Sequence, residues 1–231
     1  MKIIKMNDNT GIQLHSVSKY YSDFQLKNID LHIPMGKIGF LLGHNGAGKT
    51  TILKILSKNI SVDNGTVSNI SNSDLGMLFD ENYLPEKLSI KEYEKVLPSL
   101  FNIWDKNSFD YYINKFKLPL KKPISTFSRG MKIKFNICVL LSYCPRFLLL
   151  DETTSGLDPL IREEVLLVIK DYINNNNATA ILTTHILDDV LSISDYVFII
   201  DNGVMKLNKP VSEFTSTEEI KEKIRSVIYK E

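Results

Sequence analysis

Gly43-His44-Asn45-Gly46-Ala47-Gly48-Lys49-Thr50 is the segment that most restricts how this chain of 231 residues can fold. It satisfies the pattern G-x-x-x-x-G-K-[ST]. The apolar run Ile38-Gly39-Phe40-Leu41-Leu42 precedes it, and apolar residues recur at helical spacing after it, at Ile52, Ile55 and Leu56. A buried strand, a glycine turn and a helix start are therefore predicted in that order. Glycines let successive backbone N–H groups face inward without side-chain obstruction. The helix terminus adds unpaired donors and positive dipole, which together make a phosphate cradle. Lys49 would neutralise the β- and γ-phosphates and the Thr50 hydroxyl would ligate Mg²⁺. Residues Gly43, His44, Asn45, Gly46, Ala47, Gly48, Lys49, Thr50 and Thr51 are the expected nucleotide contacts, with the His44 ring facing solvent.

A metal–nucleotide site needs an acid at the end of a second buried strand. Phe147-Leu148-Leu149-Leu150-Asp151-Glu152 supplies it. Asp151 would hold Mg²⁺ opposite Thr50, while Glu152, projecting differently, would polarise an attacking water. Further strand-like runs at 12–17, 26–33, 178–182 and 196–200 alternate with helical patterns, which implies an α/β fold around a parallel sheet. The stretch from Pro85 to Tyr143 reads as mostly helical, and Asp201-Asn202-Gly203 reads as a hairpin turn.

The remaining composition excludes more than it proposes. Lys+Arg number 28 against 27 Asp+Glu, a net charge of +1, which gives no electrostatic reason to expect nucleic acid. No apolar run approaches the roughly 18–20 residues that span a bilayer. Residues 1–10 contain no apolar segment of secretory type, so the expected location is cytosolic. Cys138 and Cys144 fit no common zinc spacing and are read as reduced thiols packed as small hydrophobes.

At this point the chain resembles the ATP-binding-cassette (ABC) ATPases over roughly Leu14 to Met205. Thr126-Phe127-Ser128-Arg129-Gly130-Met131 stands where that family carries its L-S-G-G-Q signature. Asp151-Glu152-Thr153-Thr154-Ser155-Gly156-Leu157-Asp158 resembles the acid motif running into the D-loop, and Thr183-Thr184-His185 resembles the switch-histidine segment. The resemblance implies a P-loop NTPase core with an N-terminal antiparallel β region and an inserted helical lobe. It divides the chain into a core of residues 12–84 and 145–205, a lobe of 85–144 and a short helical tail of 206–231. It further implies catalytic roles for Lys49, Glu152 and His185, and adenine stacking by Tyr21, with Tyr20 as alternative. Ser128, Gly130 and Asp158 would meet ATP held by a second subunit in a homo- or heterodimer. ATP and Mg²⁺ are the implied cofactors.

The pattern also departs from the family. Both glutamines, Gln13 and Gln25, precede the phosphate loop, so the usual Q-loop glutamine is replaced. Asp80 takes its place, with Glu81 beside it, as a candidate metal or water ligand. Arg129 replaces the first signature glycine, Met131 the closing glutamine, and Thr153 the proline after Glu152. The segment around Phe101 to Trp104, with Phe116-Lys117-Leu118, resembles small ATPases of bacterial peptide, bacteriocin and antibiotic exporters. Such a subunit would act at the cytoplasmic face of the membrane with a separate permease, docked near residues 80–84. A soluble ABC ATPase acting on a macromolecular partner is the alternative.

Overall fold

A computed structural model describes residues 11–79 and 85–228. Two antiparallel strands open the fold, β1 (Ile12–Tyr20) and β2 (Gln25–Ile33). The central strand β3 (Ile38–Leu42) enters the phosphate loop, which feeds helix α1 (Lys49–Leu56). Strand β4 (Asn64–Val67) returns to pair with β1, and β5 (Leu75–Leu78) begins the far edge of the sheet. Three helices follow, α2 (Ile90–Leu100), α3 (Lys106–Lys115) and α4 (Arg129–Ser142). The chain then alternates β6 (Phe147–Asp151), α5 (Pro159–Asn176), β7 (Thr179–Thr184), α6 (Leu187–Ile193) and β8 (Tyr196–Asp201). A hairpin leads to β9 (Val204–Pro210), and α7 (Thr217–Ile228) ends the described chain. The nine strands form one sheet in the order β4-β1-β2-β9-β8-β3-β7-β6-β5.

Strands β8, β3, β7, β6 and β5 run parallel, and their apolar runs show why. Successive side chains point to opposite faces, so a strand covered on both sides must be apolar throughout. Phe40 and Leu42, Leu148 and Leu150, Ala180 and Leu182, and Val197 and Ile199 all pack into one cluster with helices α2 to α7. Leu41, Leu149, Ile181 and Phe198 pack into the other cluster, with α1 and the antiparallel strands. These positions are buried, with exposure of 3% or less.

Some boundaries differ from the sequence reading. The strand predicted over 178–182 begins at Thr179 and runs to Thr184, because Ala178 N–H still closes the end of α5 on Ile173 O (3.2 Å) after Asn177 turns left-handed (φ 47°). Residues 206–210, expected in a helical tail, continue β9 because the Asp201-Asn202-Gly203 hairpin lays them antiparallel along β8. Cys138 is buried as expected, whereas Cys144 is exposed at a left-handed position (φ 57°) just past α4. Trp104 stacks on Phe101 with ring centroids 5.7 Å apart, inside the aromatic cluster of the helical insertion.

Candidate functional site

The loop between β3 and α1 owes its shape to glycine at two points. A Cβ on Gly43 would lie 2.4 Å from Ile200 O, so only glycine lets β8 approach this closely. Gly48 caps α1 at φ 114°, a conformation that side chains rarely tolerate. The β8–β9 hairpin braces the loop, with Gly203 N–H donating to Ala47 O (3.0 Å). His44 stays exposed, as expected of a solvent-facing ring, and also joins this brace. Its Nε2 lies 3.0 Å from Asp201 Oδ1 and its Nδ1 2.8 Å from Asn45 O, leaving the side chain 43% exposed. The hairpin supplied a carboxylate that spacing along the sequence could not reveal.

The acids arrive at the end of β6 beside the start of α1. Asp151 is buried, and each carboxylate oxygen accepts one hydroxyl: Thr50 Oγ1 donates to Oδ2 (2.7 Å) and Thr183 Oγ1 to Oδ1 (2.6 Å). Glu152 leaves the strand in a left-handed conformation (φ 46°), and its N–H donates to Thr183 Oγ1 (2.9 Å). That turn aims its carboxylate away from Asp151 and toward the phosphate loop. Glu152 Oε1 lies 3.4 Å from Lys49 Nζ, and Oε2 lies 2.9 Å from His185 Nδ1. Lys49, almost fully buried, also donates to Gly43 O (2.7 Å) and His44 O (3.2 Å). Lys49, Thr50, Asp151, Glu152 and His185 therefore converge from three separate segments of the sequence.

The loop opens onto a cleft of about 610 Å³ lined by Asp23, Phe24, residues 44–46, residues 48–51, Glu152 and Asn202. Phe24, rather than Tyr21, is the aromatic residue in that lining, and its Cζ would meet a Cβ on Gly48 at 2.9 Å. Tyr21 stands behind it in the same turn, 44% exposed, with ring centroids 6.4 Å apart. The family resemblance implies Tyr21, with Tyr20 as alternative, whereas Phe24 is the aromatic residue that this lining contains. Ser128 caps α4, accepting Met131 N–H (3.3 Å), and Asp158 caps α5, accepting Ile161 N–H (3.0 Å). Neither lines this cleft, nor does Gly130, whose Cβ would meet Ile161 Cδ1 at 2.8 Å where α4 crosses α5. Arg129 lays its guanidinium over Gly156, with Nη1 2.9 Å from the position of a Cβ there. Asp80, Glu81 and the expected permease contact at 80–84 lie outside the described residues.

The donor set suits a nucleotide with a hard cation. Thr50 Oγ1 and Asp151 Oδ2 are paired oxygens of the kind that hold Mg²⁺ while phosphate and water complete its shell. Among the described residues, no cluster of three His, Cys, Asp or Glu forms an all-protein metal cage.

Comparison with known proteins gives the same direction. A family profile described as ABC transporter matches residues 26–155. The lantibiotic transport ATP-binding protein SrtF of Streptococcus pyogenes is 32% identical over 206 residues, covering 85% of this chain and 88% of that protein. The bacitracin transport ATP-binding protein BcrA of Enterococcus faecalis is 28% identical over 215 residues, covering 87% and 70% respectively. The solved structure of cbiO1 from Clostridium perfringens, part of the ABC transporter complex cbiONQ, superposes with a TM-score of 0.78. It is 24% identical over 95% of this chain and 96% of that one, a likeness of fold.

Proposed function

The chain belongs to the ABC transporter family as an ATP-binding subunit, and from that premise we propose that it hydrolyses ATP to drive a separate membrane permease that exports a peptide antibiotic or bacteriocin. The observation that carries the catalytic part is the contact of one carboxylate, Glu152, with both Lys49 and His185 at the mouth of the phosphate loop. The cargo class rests on the names of the lantibiotic and bacitracin relatives. No described helix is long and apolar enough to cross a membrane, so the pathway for cargo belongs to a partner chain in this reading.

In the proposed reaction the loop N–H groups and the α1 terminus hold the phosphates by charge and dipole. Lys49 exchanges its contacts with Gly43 O, His44 O and Glu152 for phosphate oxygens. Glu152 then orients a water in line with the γ-phosphorus and accepts its proton, and the His185 imidazole stabilises charge on the γ-oxygens. Thr50 and Asp151 would hold Mg²⁺, which neutralises charge developing between the phosphates. Ser128, Gly130 and Asp158, standing off the cleft of their own subunit, fit a role at the cleft of a second one. Asp80 is a proposed replacement for the Q-loop glutamine, as a metal or water ligand.

Two measurements test the reading. Lys49→Ala should weaken binding of a fluorescent ATP analogue by about tenfold or more, since a charge-assisted contact is worth roughly 1.5–3 kcal/mol. The chain purified from its native membranes should bring down a hydrophobic permease. Unchanged ATP-analogue binding would contradict the nucleotide site, and a consistently soluble, permease-free chain bound to another macromolecule would contradict the transport role.

A further inference from the structure

Asp189 is the most buried carboxylate among the described residues, at 1% exposure, and it lies outside the phosphate loop and its acids. It sits on α6, one turn after His185. Its Oδ2 accepts the Thr154 hydroxyl (2.7 Å) and the Thr184 hydroxyl (3.3 Å). Its Oδ1 forms an ion pair with Arg162 Nε at 2.8 Å, although that N–H is not aligned as a hydrogen bond. Thr154 follows Glu152 by two residues, Thr184 immediately precedes His185, and Arg162 lies in the first turn of α5 beyond Asp158. One carboxylate is thus fastened to the three segments that carry Glu152, His185 and Asp158.

The threonine pair at the end of β7 explains how. Adjacent strand residues face opposite ways. Thr183 holds Asp151 and the Glu152 N–H, while Thr184 turns to Asp189 and also accepts Ile186 N–H (3.0 Å), closing the turn around His185. Burying a charge is costly unless it is paired and hydrogen-bonded. Burial pushes the Asp189 carboxyl up, and the Thr154 hydroxyl and Arg162 pull against it. Packing alone would be served as well by an apolar residue. We propose that Asp189 is a positioning residue for hydrolysis: through Thr154 and Thr184 it sets the separation of the Glu152 carboxylate and the His185 ring. The kinetic part of this proposal rests on the ATPase reading above.

Thr154→Val and Thr184→Val each remove one hydroxyl and leave the Asp189–Arg162 pair in place, so they test the link where Asp189→Asn could simply misfold. Each should lower kcat about tenfold, the order of effect of a misplaced catalytic group, with KM for ATP changed less than about twofold. Thr154→Ser should restore kcat to within about twofold of wild type. In the nucleotide-free protein, the imidazole NMR resonances of His185 should move in both valine variants and return in Thr154→Ser. Unchanged kcat in both valine variants, kcat falling only in step with lost folded protein, or unmoved His185 resonances would overturn the proposal. A wild-type chain that hydrolyses no ATP would sink the ATPase reading instead, and the His185 resonances would still decide this one.

Discussion

Glu152 and the aromatic residue at the cleft make the residue scale the most informative. Phe24 lines the cleft against Gly48, with the Tyr21 ring tilted 31° to it at a centroid distance of 6.4 Å, and we propose Phe24 as the platform for a purine ring. Base–aromatic stacking is worth about 1–3 kcal/mol per base, so Phe24→Ala should raise KM for ATP roughly 5- to 150-fold. Tyr21→Ala should raise it less, and the ordering of the two KM values in steady-state kinetics checks the assignment. The motif residues were legible in the sequence because backbone chemistry demands them locally: a phosphate loop needs its glycines, lysine and threonine within eight positions. Partners distant in sequence were not legible. His44 meets Asp201 and Thr154 meets Asp189 only because the hairpin and α6 return to the site. Arg129 was visible as a departure, but its place over Gly156 depends on how α4 crosses the turn before α5.

Among the elements, α2 and α3 show how the helical insertion is punctuated. Ser89 and Glu92 form a capping box on α2, and Asp105 caps α3 by accepting Asn107 N–H (2.9 Å) and Ser108 N–H (3.3 Å). The Ser108 hydroxyl and these amides hold the Asp105 carboxyl below its ordinary range, and Ser89 does the same for Glu92. A carboxylate whose folded pKa is depressed contributes stability above its unfolded pKa. That contribution is lost as pH falls through the folded value. The loss from these caps therefore begins below about pH 4. Asp105→Ala should destabilise the protein by about 1 kcal/mol in urea unfolding at pH 7, with the difference from wild type shrinking toward pH 3. A constant difference across that range would contradict the cap. The strands β3, β6 and β8 could be read to within a residue from their apolar runs, because burial on both faces leaves an unmistakable pattern. Strand β9 could not, since its polar, exposed residues Lys206, Asn208 and Lys209 lack that pattern and are held by pairing with β8.

For the whole molecule, one apolar cluster joins the helical insertion to the sheet. Phe135 is fully buried against Tyr93 (5.1 Å) and Phe109 (6.5 Å), in the same cluster as Phe40, Leu148 and Val197. Phe135→Ala should cost about 3–5 kcal/mol and lower a single calorimetric transition. Two separated transitions would show that the insertion melts on its own. Residues from three distant segments are brought together by this sheet, and the role proposed for that convergence is ATP hydrolysis. It is tested most directly by phosphate release from purified wild-type and Glu152→Gln protein, with Mg²⁺ and with EDTA. Mg²⁺-dependent turnover is expected of the wild type, with a kcat lower by about 10²–10⁴-fold in Glu152→Gln, which still binds ATP. Turnover by Glu152→Gln at the wild-type rate would contradict that role.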